Sequence, residues 1–126
     1  MPCLYITTNV NLDQLDTDPI FSEATHAVSS IIGKPKQVVY LCNKNEWNVV
    51  QFVMVVLKGS VPISFEGNKE AAAYAEIVSM GGINSEVKRK LIATLGSILQ
   101  NKLSIPRTRF FLKVFDTTVF RNASKL

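Results

Sequence analysis

Apolar residues fall into blocks along this chain, and their spacing changes from block to block. Cys3-Leu4-Tyr5-Ile6-Thr7 is apolar and β-branched, which predicts a buried strand. Asp16-Thr17-Asp18-Pro19 reads as a helix start. Asp18 is placed to cap, and Pro19 suits a first turn where its missing N–H costs nothing. Ile20, Ala24, Ala27, Val28, Ile31 and Ile32 then share one helical face. Gly33 closes the helix where a left-handed residue is favoured, and Pro35 prevents its resumption. Phe52-Val53-Met54-Val55-Val56-Leu57 is apolar at every position, the pattern of a strand buried on both faces. Ile63-Ser64-Phe65 after Pro62 predicts a short edge strand, and Glu66-Gly67-Asn68-Lys69 a turn.

Residues 71–80 carry two patterns: the leading alanines could begin a helix, while Tyr74, Ile77 and Val78 suggest a strand in the second half. Gly81-Gly82 stops the segment. Asn84 or Ser85 caps a second helix whose stripe is Val87, Leu91, Leu95, Ile98, Leu99 and Leu103. Ser104-Ile105-Pro106 ends it, and Phe110-Phe111-Leu112-Lys113-Val114-Phe115 is the last strong strand.

Strand, capped helix, proline-closed turn and apolar strand thus occur twice, with Gly33-Lys34-Pro35 in the place of Ser104-Ile105-Pro106. Each half is a βαβ-type unit. The expected fold is α/β, in the α+β sense: a four-stranded sheet with both helices on one face, as a single domain over 1–126. The other face is left apolar and open, a liability that oligomerisation removes, so no stable monomer is expected.

At 126 residues, one domain accounts for the length, and with 47% apolar and 19% charged residues the chain is core-forming, not disordered. No apolar run approaches the roughly 20 residues of a membrane span, and no secretory leader is visible. Cys3 and Cys42 lack metal-ligand spacing and form no disulfide framework. The net charge of +4 permits anion binding but does not argue for nucleic acid. Lys88-Arg89-Lys90 and Lys102 fall mainly off the apolar stripe and read as a solvated face. His26, the one histidine, reads as a surface or packing residue.

Candidate chemistry lies at the ends of the chain. A small residue after the initiator usually means that methionine is removed, which would leave Pro2 with a free secondary amine. An exposed α-amino group titrates near ~8, and desolvation or a nearby cation favours its neutral form. Such a base suits proton abstraction beside a carbonyl. At the other end, Ser124-Lys125-Leu126 is the peroxisomal import tripeptide, preceded by a polar lead.

Met1-Pro2-Cys3-Leu4, Thr8-Asn9-Val10, Ser22-Glu23, Gly33-Lys34-Pro35, the run from Val53 to Ser60, Ser79-Met80-Gly81-Gly82-Ile83 and the run from Pro106 to Asp116 follow one another in a distinctive order. In that order the chain resembles the macrophage migration inhibitory factor and D-dopachrome tautomerase family, and within it the plant, peroxisome-targeted type. The resemblance implies a homotrimer with a pocket at each subunit interface. It implies keto–enol tautomerisation of a small aromatic α-keto acid such as phenylpyruvate, with no metal and no organic cofactor. It assigns the base to Pro2, the substrate carboxylate to Lys34, a backbone contact to Met80, and pocket positions supplied by the neighbouring subunit to Phe111 and Lys113. A peroxisomal import receptor is the further partner; cytoplasmic residence is the alternative.

The chain departs from the family in several places. Animal members carry tyrosine and asparagine where Phe111 and Lys113 stand, and their aromatic C-terminal segment is replaced here by a polar tail over 117–126. A Cys-x-x-Cys is absent; Ala72-Ala73-Tyr74-Ala75 occupies its place, so no thiol oxidoreductase activity is expected. Residues 38–51 interrupt the usual short connection into the second strand, as an in-frame extra segment such as a retained intron would. They read as a hairpin around Asn43-Lys44-Asn45-Glu46 or as an extended loop, near the expected pocket mouth. Two function classes follow: a cofactor-independent tautomerase, favoured by Pro2 and Lys34, or a cytokine-like binding and signalling module with little turnover.

Overall fold

The computed structural model describes residues 2–33 and 53–117. The segment 38–51, Lys34, Met1 and Ser124-Lys125-Leu126 lie outside the described residues. Strand β1 (Cys3–Thr8) is central: it pairs in parallel with β2 (Met54–Lys58) and antiparallel with β3 (Ala73–Ser79). Strand β4 (Phe110–Asp116) runs parallel to β3, giving the order β2-β1-β3-β4. Each parallel pair is bridged by one helix, α1 (Asp18–Ile32) or α2 (Ser85–Leu103). The two βαβ halves meet at the antiparallel β1–β3 seam, and both helices cover one face of the sheet. The core there joins Leu4, Ile6, Ala75 and Ile77 of the strands to Ala24 and Val28 of α1 and Leu91, Leu95 and Leu99 of α2.

Helix α1 starts one position away from the expected cap. Asp18 is the first helical residue, and Thr17, at the cap position, makes no side-chain bond. The local turn is held instead by Asp16, whose Oδ1 accepts from the Asp18 N–H at 3.1 Å. Asp18 still places a negative charge at the positive end of the helix dipole. Gly33 ends the helix with φ +81° and donates its N–H to the Ser29 carbonyl at 3.1 Å. Asn84 caps α2 as expected, accepting from the Val87 N–H at 2.8 Å. Ser104 closes α2 in the left-handed region and donates its N–H to the Gln100 carbonyl at 3.0 Å, the bond of an αL closure.

Residues 73–79 are a strand despite their alanines, because β1 and β4 saturate the backbone on both sides. Two other expectations are corrected. Ile63-Ser64-Phe65 forms no strand: Phe65 and Asn68 exchange backbone bonds of 2.9 and 3.1 Å around a turn with positive φ at Glu66 and Gly67. A ladder needs a neighbouring strand, and here Phe65 finds only its own turn. Strand β2 is not buried on both faces of the chain. Val55 and Leu57 pack against the core, but Met54 and Val56 are exposed.

The face away from the helices is less apolar than expected. The register stacks Met54, Cys3, Val78 and Phe115 in one row, Val56, Tyr5, Glu76 and Lys113 in the next, and Lys58, Thr7, Tyr74 and Phe111 in the third. Charges therefore interrupt the apolar surface. Tyr74 donates to Glu76 Oε1 at 2.7 Å and stacks on Phe111 with ring centroids 5.9 Å apart. That bond holds the Tyr74 proton, and with desolvation and the carboxylate's charge it raises the phenol above its ordinary value.

Candidate functional site

Pro2 extends β1 by one residue. The alternation along the strand continues through it, so Pro2 is buried on the same side as Leu4 and Ile6. Its carbonyl accepts from the Met54 N–H at 3.0 Å, which ties it to the start of β2. Since Cys3 pairs with both Met54 and Val78, Pro2 stands level with the end of β3, where the chain leaves through Ser79 into Met80-Gly81-Gly82. That turn reaches α1. A Cβ at Gly82 would lie 3.2 Å from Ile32 Cγ2, and Ile32 is followed by Gly33, the last described residue before Lys34. Three separate segments thus converge at one end of the sheet: the start of β1 with Pro2, the exit of β3 with Met80, and the end of α1.

Met80 is 60% exposed there, between a buried Ser79 and two glycines of positive φ. Its turn is held by side chains. Ser79 Oγ donates to the Gly81 carbonyl at 2.9 Å, Asp116 Oδ1 accepts from the Gly81 N–H at 3.1 Å, and Thr117 Oγ1 donates to the Ser79 carbonyl at 3.3 Å. Sequence reasoning gave these three residues no role. A signal existed for one of them: the parity of Phe110, Leu112 and Val114 puts Asp116 on the helix-facing side, where a carboxylate is the informative exception.

Phe111 and Lys113 are not brought to Pro2 within one chain. They lie on the open face, opposite to the side that Pro2 shares with Leu4, and Phe111 is 58% exposed. Phe111 is level with Thr7, five residues along from Pro2 and two strands across, about 19 Å away by strand geometry. Only another copy of the chain could set these side chains beside Pro2. Lys113 extends over the Phe115 ring, 4.7 Å from its centroid.

A cavity of about 480 Å³ lies at the far end of the sheet, lined by residues including Asn9, Val10, Val61, Ile63 and Lys69. It offers no carboxylate or amine pair for proton transfer and is remote from Pro2. Its neighbourhood is framework: Thr8 Oγ1 donates to the Ala72 carbonyl at 2.8 Å, and Asn9 Oδ1 accepts from the Ala72 N–H at 2.9 Å. Among the described residues, no group of histidine, cysteine and acidic side chains could hold a metal, and no helix is long and apolar enough to cross a membrane.

A mixed four-stranded sheet with two helices on one face and a proline at the head of its central strand defines the tautomerase-like α+β class. The chain belongs to the macrophage migration inhibitory factor (MIF) family, whose model matches residues 1–124. It is 25% identical over 116 residues to a macrophage migration inhibitory factor homolog of Trichuris trichiura, covering 92% of this chain and 89% of that one. A homolog from Trichinella spiralis is 27% identical over 112 residues, covering 89% and 85%. Among solved structures, the homologue from Prochlorococcus marinus superposes with a TM-score of 0.75 at 22% identity, over 90% of this chain and 87% of that one. The Toxoplasma gondii protein gives 0.74 at 23%, over 90% and 88%. At these identities the structural likeness speaks for the fold.

Proposed function

We propose that the protein is a cofactor-independent keto–enol tautomerase in which the amine of Pro2, freed by loss of Met1, is the general base. The observation that carries this reading is the burial of Pro2 where the exit of β3 and the end of α1 converge. Burial disfavours a charged ammonium and so favours the proton-accepting form. Pro2 nitrogen takes a proton from the carbon beside the substrate carbonyl. The C–H electrons form the new C=C bond, the carbonyl π electrons move to oxygen, and the proton held on Pro2 is returned to that oxygen, which completes the enol and restores the base. Lys34 meets the substrate carboxylate, and the Met80 backbone lines the reacting end. Phe111 and Lys113 of a neighbouring copy wall the pocket in a homotrimer. A small aromatic α-keto acid of the phenylpyruvate type suits this arrangement, and Ser124-Lys125-Leu126 directs the protein to the peroxisome through its import receptor.

Phenylpyruvate turnover by protein of verified N-terminal mass, by Pro2→Gly and by an N-acetylated form tests the base. Both altered forms should lose on the order of a hundredfold or more in kcat/KM. Equal rates in all three would reject proline catalysis, and negligible turnover by the unaltered protein would favour a binding module of the same fold.

A further inference from the structure

The last strand ends on a carboxylate turned toward the helix-covered side. Asp116 stands in register with Ser79, and Ser79 is level with Pro2. Asp116 accepts the Gly81 N–H while Ser79 holds the Gly81 carbonyl, so both backbone groups of a residue without a side chain are fixed by polar side chains. Gly81 has φ +81°, a conformation that glycine adopts without steric cost. The neighbours of Gly81 are Met80, one residue past the strand position level with Pro2, and Gly82, seated on Ile32.

We propose that Asp116 is a positioning residue for the proton-transfer site: by accepting from Gly81 it fixes the Met80 backbone relative to Pro2. This rests on the reading of Pro2 as the base. A charged acceptor makes the stronger bond, and a strand-end residue carries the turn with the rigidity of the sheet. The carboxylate lies two strands from Pro2, about 10 Å, beyond the roughly 4–6 Å at which a neighbouring charge sets a pKa. Its contribution is therefore geometric and falls on substrate engagement.

The test uses the full-length protein, phenylpyruvate as probe, and the variants Asp116→Ala and Asp116→Asn. Asn keeps an oxygen acceptor and loses the charge. Asp116→Ala should raise KM on the order of tenfold with a smaller change in kcat, speed exchange of the Gly81 amide, and leave the acid limb of the kcat/KM pH profile in place. Asp116→Asn should recover most of both losses. Wild-type KM and Gly81 exchange in Asp116→Ala would overturn the proposal. So would an acid limb that moves with KM unchanged, or an Asn variant as defective as Ala. Equal turnover by wild type and Pro2→Gly would overturn the base assignment and the catalytic part of this role with it. Gly81 exchange decides separately whether Asp116 holds the turn.

Discussion

Gly82 rests on Ile32. A Cβ at Gly82 would stand 3.2 Å from Ile32 Cγ2 and 3.3 Å from the Ile32 carbonyl oxygen, and Gly82 has φ +76°. This contact joins the exit of β3 to the end of α1, so it sets the geometry of the end of the sheet that holds Pro2. Gly67 has nearly the same φ, +77°, with no atom within 4 Å of the corresponding position. Gly67→Ala should therefore carry the backbone cost alone, about 1 kcal/mol. Gly82→Ala should cost about 2–3 kcal/mol, because Ile32 must also yield. Denaturant unfolding at matched protomer concentration measures both, and equal losses would mean that the helix end adapts freely.

Arg109 is 7% exposed and has no carboxylate partner among the described residues. Its guanidinium donates instead to three carbonyls, Ala71 at 3.0 Å, Phe65 at 3.1 Å and Glu70 at 3.1 Å, and lies 5.2 Å from the Phe65 ring centroid. One side chain thus fastens the 65–71 segment to the start of β4. Removing it strands those carbonyls, and a lysine cannot span them with a single ammonium. Arg109→Ala should lose about 3 kcal/mol of unfolding free energy, with Arg109→Lys close behind. A lysine variant of wild-type stability would show that the charge matters and the fork does not.

Tyr74 holds its proton through the 2.7 Å bond to Glu76. Its pKa in the folded chain is raised above the ordinary phenol value, first by that bond, then by desolvation and by the carboxylate's charge. A group whose folded pKa exceeds its unfolded one stabilises fully below the unfolded pKa and loses that contribution as pH rises through the folded one. Stability should thus fall off at alkaline pH, beginning near the ordinary tyrosine pKa of about 10. Ultraviolet titration should show a late-ionising component that disappears in Tyr74→Phe and titrates earlier in Glu76→Gln. An unchanged profile in Glu76→Gln would remove the hydrogen bond as the cause.

The helices were legible because each writes a full helical period into one stripe, and Asn84 adds a cap whose chemistry is local. The first cap was misplaced by a residue because Thr17, Asp18 and Pro19 are all good starts, and Asp16 decides between them by bonding the Asp18 N–H. Residues 73–79 stayed ambiguous because alanine favours a helix, and only strands on both sides override that preference. Ile63-Ser64-Phe65 has strand composition and no strand beside it. Of the candidate site, Pro2 and Met80 lie at one end of the sheet, Lys34 lies outside the described residues, and Phe111 and Lys113 lie on the open face.

Sequence by itself determined the two βαβ halves and the proline that precedes the first strand, because periodicity, caps and turn residues act within a few positions of one another. Only the tertiary structure decided the mixed strand order, the charges on the open face, and the grip of Asp116, Ser79 and Thr117 on the turn beyond β3. Those depend on register between strands far apart in sequence, such as Cys3 opposite Val78, where a one-residue slip would reverse every side chain.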